Sequence, residues 1–406
     1  MADQSYVLGS GVTNVYGVNS FEIGNTYSQY DIVFFSGYTV AGTPPVPTTA
    51  ESLGTATGHY YYSGATAATS TAANSPAGAD SAWTQKLFFE PSYPVSVDYF
   101  NQTFDATYGD GYYNVANKSE NSLKVKFNLP FNKRSDKETR ALAHFLEDSF
   151  NKGEKPSGAY TGIFFTPFEP YNEEHEFYIE NFTRGFDYPN VNSMSTVLFR
   201  EDQSLLNWQQ YYIPFNQTKK FWAAGDTYSK HDIAYLSGSN YVKNQSGWYY
   251  YTGENESTAT NDNGPAGDDS LWTKKEFYFD LQKGLNIEQA PRFLKQPIQN
   301  EYYIRTQDGI NKSLLNLQFS LEGRTDKEAK AVVHFLESHQ GKNQFKFTPP
   351  APYDNPNKVF ICPKWEHKLN YKDNNTISVN FIEFPINIVD QETTFLSLIT
   401  IDPYKR

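Results

Sequence analysis

The chain has very little cysteine, very little methionine and no excess of positive charge. Its 406 residues include one cysteine, Cys362, which excludes an intrachain disulfide and any multi-cysteine zinc or iron–sulfur site. Lys and Arg total 34 against 46 Asp and Glu, a formal net charge of -12, so we expect neither nucleic acid nor anionic lipid as a partner. We find no apolar run near the roughly 18 residues of a spanning helix and no secretory signal, so no membrane insertion is expected.

Aromatic residues are abundant where cysteine is scarce. The chain contains 31 Tyr, 31 Phe and 6 Trp, which together make 17% of its residues. Because no disulfide can stabilise the fold, aromatic side chains must supply much of the packing. This composition favours a β-rich extracellular or virion protein.

Several short sequence patterns occur twice along the chain, in the same order. Ordered self-similarity of this kind predicts an internal repeat, here a tandem duplication of a two-module unit. The matched stretches are 26–28 and 227–229, 60–64 and 249–253, 76–84 and 265–273, 136–147 and 326–337, and 165–167 and 347–349.

The repeats divide the chain into modules of two kinds. We predict a small module A in two copies and a larger module B in two copies, arranged alternately. Their bounds are 1–20 for an N-terminal segment, 20–90 for A1, 92–202 for B1, 221–280 for A2, 290–389 for B2 and 390–406 for a C-terminal tail.

Module A is predicted to be a small β-meander. Its second copy has short aromatic or β-branched runs at 232–235, 248–251 and 276–279, separated by Gly and polar residues. The corresponding loops of the first copy are longer and rich in Ala, Thr, Ser and Pro, so we expect them at the surface.

Module B is predicted to place strands around one helix. Residues 123–129 alternate apolar and polar side chains, as in a half-buried strand. Ser135 with Glu138, and Thr325 with Glu328, have the capping-box spacing at which a helix begins. The residues predicted on the buried helix face are Leu142, Phe145 and Leu146 in the first copy and Val332, Phe335 and Leu336 in the second.

Module B also carries an ordered series of motifs. In the second copy these are Asp308-Gly309, the strand 315–321, the helix 325–338, the stretch 345–350, Tyr353, the Cys-x-x-Trp at 362–365 and the strand 376–384. The series resembles the minor tail protein M family of lambda-like tailed phages, proteins of the tail tip. The first copy opens with 108–112 and has 180–183 in place of the Cys-x-x-Trp.

This resemblance implies the fold class and the architecture. We expect an α+β, mainly β protein with two tail-tube-like β-sandwich domains, each with one flanking helix, and two small β-meander modules. Copies of such domains are expected to stand side by side in a ring.

Module A carries a shorter pattern that resembles small chitin-binding-type carbohydrate modules. The matching residues are Trp222, Gly225, Asp226, Tyr228, Asp232, Ile233, Tyr235, Gly238, Tyr241 and Trp272. The resemblance implies aromatic platforms for a glycan or protein contact, with the candidates Tyr60, Tyr61, Trp83, Tyr249, Tyr250 and Trp272. The alternative is that these rings are the core of a very small domain, which has little else to bury.

Residue types used in catalysis are present, but not in a catalytic pattern. Acidic clusters at 173–176 and 268–269 lie in polar stretches, which favours solvated charge over the paired carboxylates of a glycosidase. His334 and Glu337 have the spacing of a helical metal pair without an apparent third ligand. Cys362 lies in an apolar run, so a buried structural thiol is expected. We therefore predict no enzyme, no metal and no cofactor.

Polar residues recur on the two predicted helices. His144 and Glu147 in the first copy match His334 and Glu337 in the second, and the spacing of three places each pair on one helix face. Because capping does not explain them, we predict a ring interface there and expect the isolated chain to stay folded without them. The alternative is a local His–Glu pair.

These observations favour a structural virion protein of a tailed bacteriophage. It is expected to be made in the host cytoplasm and to form a homo-oligomeric ring, a trimer or a hexamer, at the tail tip or baseplate hub. The ring would join the tail tube to distal tail components. The alternative is a tail adhesin that binds host surface polysaccharide through module A.

Overall fold

The chain folds into two compact units in the computed structural model. Unit 1 contains Met1–Val95, Lys126–Phe168 and Glu173–Glu201, and unit 2 contains Ser96–Val125, Glu169–Asn172 and Asp202–Arg406. The described residues are 18–35, 58–71, 74–76, 78, 81–101, 103–107, 113–117, 123–151, 163–167, 171, 175–200, 221–236, 246–261, 264–265, 267, 270–281, 284–291, 293–298, 302–307 and 313–384. The predicted tail at 390–406, and all but the last three residues of the segment 1–20, lie outside them.

Unit 1 begins with a small β module. Its strands are β1 (Asn19–Ser20), β2 (Thr26–Tyr27), β3 (Ile32–Phe35), β4 (Gly58–Tyr62), β5 (Ala68–Thr69) and β6 (Trp83–Thr84). Four of them form a sheet in the order β1-β3-β4-β6, in which β1 is parallel to β3 and the other pairs are antiparallel, while β2 pairs with β5. Aromatic rings fill its interior, as expected for a domain this small.

The next three strands carry residues of unit 2 although they precede the helix of unit 1 in the sequence. They are β7 (Val95–Asn101), β8 (Thr103–Thr107) and β9 (Tyr113–Asn117). From Ser96 onward these residues belong to unit 2. Strands β8 and β9 form an antiparallel hairpin.

The larger domain of unit 1 is a sheet with one helix. Its elements are β10 (Leu123–Arg134), α1 (Asp136–Asn151), β11 (Ile163–Phe165), β12 (His175–Tyr188) and β13 (Val191–Arg200), with the strand order β11-β12-β13-β10. The helix begins as predicted, because the Ser135 hydroxyl accepts a hydrogen bond from the backbone N–H of Glu138 at 3.2 Å. Leu142, Phe145 and Leu146 are buried, which confirms the predicted inner face.

The small module of unit 2 has strand pairings similar to those of the small module in unit 1. Its strands are β14 (Thr227–Tyr228), β15 (Ile233–Leu236), β16 (Gly247–Tyr251), β17 (Ser257–Thr258) and β18 (Trp272–Thr273). The sheet order is β15-β16-β18, and β14 pairs with β17. The strand predicted at 276–279 is wrong, because only Glu276 makes a single bridge, to Lys346. Phe277 instead packs into the larger domain beside Phe335 and Phe381.

The described part of the larger domain of unit 2 has a six-stranded sheet, a separate hairpin and one helix. Its elements are β19 (Asn286–Pro291), β20 (Phe293–Ile298), β21 (Tyr302–Gln307), β22 (Ser313–Arg324), α2 (Asp326–His339), β23 (Phe345–Lys346), β24 (Val359–Tyr371) and β25 (Asn374–Phe384). The strand order is β7-β24-β25-β22-β19, β23 also pairs with β24, and β20 with β21 form a separate hairpin. Helix α2 packs on β22, β24 and β25 with its predicted inner face buried.

Among the residues that the structure describes, these elements confirm an α+β, mainly β protein with one helix in each larger domain. The arrangement of two facing sheets into a β-sandwich stays a prediction. Each larger domain packs its helix against strands of its own sheet, α1 on β12 and β13 in unit 1.

Candidate functional site

The three consecutive tyrosines of each small module are buried on both faces of their strand. In unit 2, Tyr249 and Tyr251 join the core of the module, whereas Tyr250 between them points to the opposite face, as alternation along a strand requires. There its ring packs edge-on against Phe335 of α2, with centroids 5.3 Å apart. The strand can bury all three rings because the helix covers its second face.

A hydrogen bond completes this contact between small module and helix. The Tyr250 hydroxyl bonds to Nδ1 of His334 at 2.8 Å in unit 2, and Tyr61 bonds to Nδ1 of His144 at 2.9 Å in unit 1. All four side chains are at most 2% exposed. A buried polar group without a partner is costly, so each histidine and tyrosine satisfies the other.

A second polar contact links module and helix at the start of the helix. Lys137 lies 2.8 Å from Asp31 in unit 1, and Lys327 lies 3.0 Å from Asp232 in unit 2. Each aspartate also accepts a hydrogen bond from the backbone of the serine three residues earlier, at 2.7 and 2.8 Å. These contacts account for the lysine and the Ser-x-x-Asp that both copies share.

The shared aspartate of each helix contacts the sheet. Asp136 accepts a hydrogen bond from the amide of Asn192, and Asp326 accepts one from Asn375, both at 2.7 Å. Asn192 and Asn375 are fully buried. The polar residues that recur in both copies are therefore used within each unit.

This placement corrects the expected exposure of the predicted ring interface. His144, His334 and Glu337 are 2%, 1% and 4% exposed, and Glu147 is half-buried. The small module contacts each histidine, through Tyr61 in unit 1 and through Tyr250 in unit 2, and a ring interface at these residues stays a prediction. Without His334, Tyr250 would keep only its 3.2 Å hydrogen bond to Ser338, so the substitution is expected to cost more than a change at an exposed position.

Burial also determines the protonation of His334. Desolvation lowers the pKa of His334 from 6.5 to about 3, with smaller contributions from Lys330 and His339. It raises the pKa of Tyr250 far above its usual value, so the phenol stays protonated. The neutral imidazole and the neutral phenol form a pair that carries no charge at physiological pH.

The six aromatic candidates for a glycan contact are not exposed. Tyr60, Tyr61, Trp83, Tyr249, Tyr250 and Trp272 are all at most 8% exposed. Trp272 packs edge-on against Tyr228 and Tyr251 in the module core. Stacking on a pyranose needs an open ring face, so these six residues provide no sugar platform and the core alternative holds for them.

The candidate catalytic groups do not assemble into a site. Cys362 is buried, and desolvation raises the pKa of its thiol to about 12, as expected for a structural cysteine. Within the described ranges, no three His, Cys, Asp or Glu side chains come close enough to hold a metal ion. The acidic residues at 173–174 and 268–269 lie outside the described residues. No described helix has the length and apolarity that crossing a bilayer requires.

Unit 1 exposes an aromatic hairpin that the sequence analysis did not identify. Strand β12 pairs with β11 only at residues 175–177, and no other described strand of unit 1 lies on that edge. Beyond this point Phe186 and Tyr188 are 70% and 75% exposed, and the guanidinium of Arg184 lies 4.5 Å from the centre of the Phe186 ring. The alternation of side chains along 180–188 does not indicate by itself that either face of this strand is exposed.

The same edge in unit 2 is occupied. Strand β7 lies beside β24, and the ring of Tyr99 stacks on Trp365 with centroids 5.1 Å apart. Tyr171 bonds to Tyr99 at 3.0 Å and to Nδ1 of His367 at 2.5 Å. His367 in turn bonds to Asn375 at 2.8 Å through Nε2. The covered edge of β24, the two stacked rings and the buried hydrogen bonds thus form one continuous packed region.

Comparison with known proteins identifies one part of the chain. Residues 275–384, the larger domain of unit 2 with the segment that precedes it, match the family model described as Phage minor tail protein. This is a family of structural proteins. No curated protein matches the chain significantly. The match covers about a quarter of the chain, so it shows that residues 275–384 are similar to a phage minor tail protein and supports a phage tail as the setting of that domain.

Proposed function

We propose that the chain is a ring-forming structural protein of the tail tip or baseplate hub, which joins the tail tube to distal tail components. The observation that carries this proposal is the family match over 275–384. Unit 1 contains the same kind of domain, with a capped helix, a long hairpin and the same Asp–Asn contact. A tandem duplication explains this correspondence, and each chain then supplies two ring-forming domains.

Two domains per chain suit a ring of three or six chains. Three chains would supply six domains, which matches a sixfold tube, and six chains would supply twelve. The small modules cover the helix face of each larger domain, so the sheets are left to make contacts between domains. The protein would be synthesised in the host cytoplasm and assembled there into the tail.

Immunogold labelling of intact virions tests the location, and native mass spectrometry of the full chain tests the ring. Label at the distal end of the tail and a discrete trimer or hexamer are the expected results. Label on the capsid, or absence of the chain from purified virions, would contradict a role in the tail. A tail-borne chain that stays monomeric in the virion would contradict the ring alone.

A further inference from the structure

We propose that the exposed edge of β12, at residues 181–188, binds strand β19 of a second copy of this chain. The inference deepens the proposed ring and rests on it, because it names the two surfaces through which one copy contacts the next. The sheet of one copy would continue into the sheet of its neighbour.

The first observation is the open edge itself. Strand β12 has fourteen residues, but β11 covers its outer edge only at 175–177. Residues 183–190 are all exposed, on both faces of the strand. An unpaired edge of this length is a template for another strand, and soluble proteins usually cover or charge such edges.

The second observation is the occupied counterpart in unit 2. The β12–β13 and β24–β25 hairpins align at their two-residue turns, where Tyr188 pairs with Val191 and Tyr371 pairs with Asn374. In this alignment Phe182, Arg184 and Phe186 correspond to Trp365, His367 and Leu369. The latter three are at most 2% exposed, beside β7. The fold therefore already uses a strand to cover this edge once.

The third observation concerns the strand that would bind. Strands β10 and β22 correspond over their twelve residues and end at Arg134 and Arg324, so the preceding strands β7 and β19 also correspond. Val97 and Tyr99 of β7 are at most 1% exposed, whereas their counterpart Ile287 is half-buried and their counterpart Gln289 is exposed. Strand β19 pairs with β22 and with no other described strand.

The fourth observation is a buried amide oxygen without a partner. In unit 2, the Asn375 oxygen bonds to Nε2 of His367, and Nδ1 of His367 bonds to the hydroxyl of Tyr171. In unit 1, Oδ1 of the corresponding Asn192 is buried and has no hydrogen-bond partner among the described residues. The polar network of unit 2 is thus incomplete in unit 1, where Arg184 stands at the position of His367.

The contact uses two different surfaces, β12 of unit 1 and β19 of unit 2. Contacts between unlike surfaces build rings if they close and fibres if they do not. The same pair of surfaces would therefore repeat around the ring.

Cysteine cross-linking of the full chain tests the pairing. In unit 2, Tyr99 stacks on Trp365, and the counterparts of these two residues are Gln289 and Phe182. The substitutions Phe182→Cys and Gln289→Cys together should therefore place two thiols side by side across the proposed contact. Mild oxidation should give an intermolecular ladder on a non-reducing gel that ends at the copy number of the ring. The matched control combines Gln289→Cys with Tyr371→Cys, an exposed site on the hairpin of unit 2, and should give no ladder.

Substitutions on β19 provide a second test. Ile287→Lys would place a charge where the counterpart Val97 is buried, so we expect the concentration at half-assembly to rise at least about tenfold. Glu288→Lys is the control, because its counterpart Asp98 stays partly exposed beside β24. This substitution should change the concentration at half-assembly less than about threefold. Circular dichroism checks that both variants are folded.

The outcomes separate the two proposals. An oligomer whose Phe182→Cys/Gln289→Cys variant gives no ladder, or which tolerates Ile287→Lys as well as Glu288→Lys, would overturn the edge contact and leave the ring standing. A chain that is monomeric in solution and in the virion would overturn both.

Discussion

Tyr250 and His334 form a 2.8 Å hydrogen bond between the small module and the helix of unit 2, and Tyr61 and His144 repeat this bond at 2.9 Å in unit 1. Each bond lies in the centre of an apolar contact between a three-residue tyrosine run and a helix. The small module therefore belongs to the core of its unit and is not an independent appendage. Its stability and that of the larger domain are expected to be coupled.

Removal of the Tyr250 hydroxyl should destabilise the chain. Tyr250→Phe keeps the ring but leaves Nδ1 of His334 without its partner, which costs about 1–3 kcal/mol for a buried group. Urea unfolding measures the free energy. Tyr371→Phe, at an exposed ring, is the control and should stay within about 0.5 kcal/mol of the parent chain. Equal effects of the two substitutions would show that the buried bond does not stabilise the unit.

The buried histidines should make stability fall in acid. Desolvation lowers the pKa of His334 to about 3 and the pKa of His231, His339 and His367 to about 4, all from 6.5. The unfolded chain binds these protons below pH 6.5, whereas the folded chain stays neutral to about pH 4. Stability is therefore full above pH 6.5 and is lost as the pH falls toward 4, by about 1.4 kcal/mol per pH unit for each group.

Urea unfolding at a series of pH values between 7 and 4.5 checks this dependence. In the variant His334→Gln the slope should decrease by up to about one proton relative to the parent chain. An unchanged slope would mean that His334 does not titrate differently in the folded and unfolded chains.

The glycine of each Tyr-x-Gly repeat is required by close packing. A Cβ atom at Gly253 would lie 2.5 Å from the hydroxyl oxygen of Tyr251, and one at Gly64 would lie 2.8 Å from the ring of Tyr62. Gly253→Ala should therefore cost about 1–3 kcal/mol through overpacking. Gly185→Ala is the control, because its Cβ would meet no atom closer than 3.7 Å. Thermal unfolding that ranks the two variants in the opposite order would contradict this interpretation.

The lysine contact at the start of each helix should contribute little. Lys327 and Asp232 keep 45% and 28% of their side-chain surface exposed, so water and salt screen the pair. Lys327→Met is expected to cost less than about 1 kcal/mol, and less still at high salt. A loss as large as that of Tyr250→Phe, measured in the same urea titration, would show that the pair is more strongly shielded than its exposure indicates.

Local patterns predicted the helices well and the partners of their polar faces poorly. The capping residues Ser135 and Thr325 determine helix starts through contacts only three residues long, which a sequence pattern contains. His144 and His334 depend on tyrosines 83 and 84 residues away, so periodicity shows that they share a face but not what covers it.

The strand prediction at 276–279 failed for a related reason. Phe277 and Phe279 have the composition of a strand, but the core of the larger domain takes up both rings without a ladder of backbone hydrogen bonds. The exposed edge of β12 could not be predicted either. Only a neighbouring strand, β7, distinguishes the covered edge of β24 from the exposed edge of β12.

From Ser96 onward, strand β7 lies in unit 2 although it precedes the helix of unit 1 along the chain. In the proposed ring, the pairing of β7 with β24 is made within unit 2 of one chain, whereas the pairing of β12 with β19 is made between two chains. A junction within a chain forms at an effective concentration in the millimolar range, however dilute the protein is. Only the pairing between chains would respond to dilution, so a ring of such chains could assemble from a smaller pool of free subunits than one built from single domains.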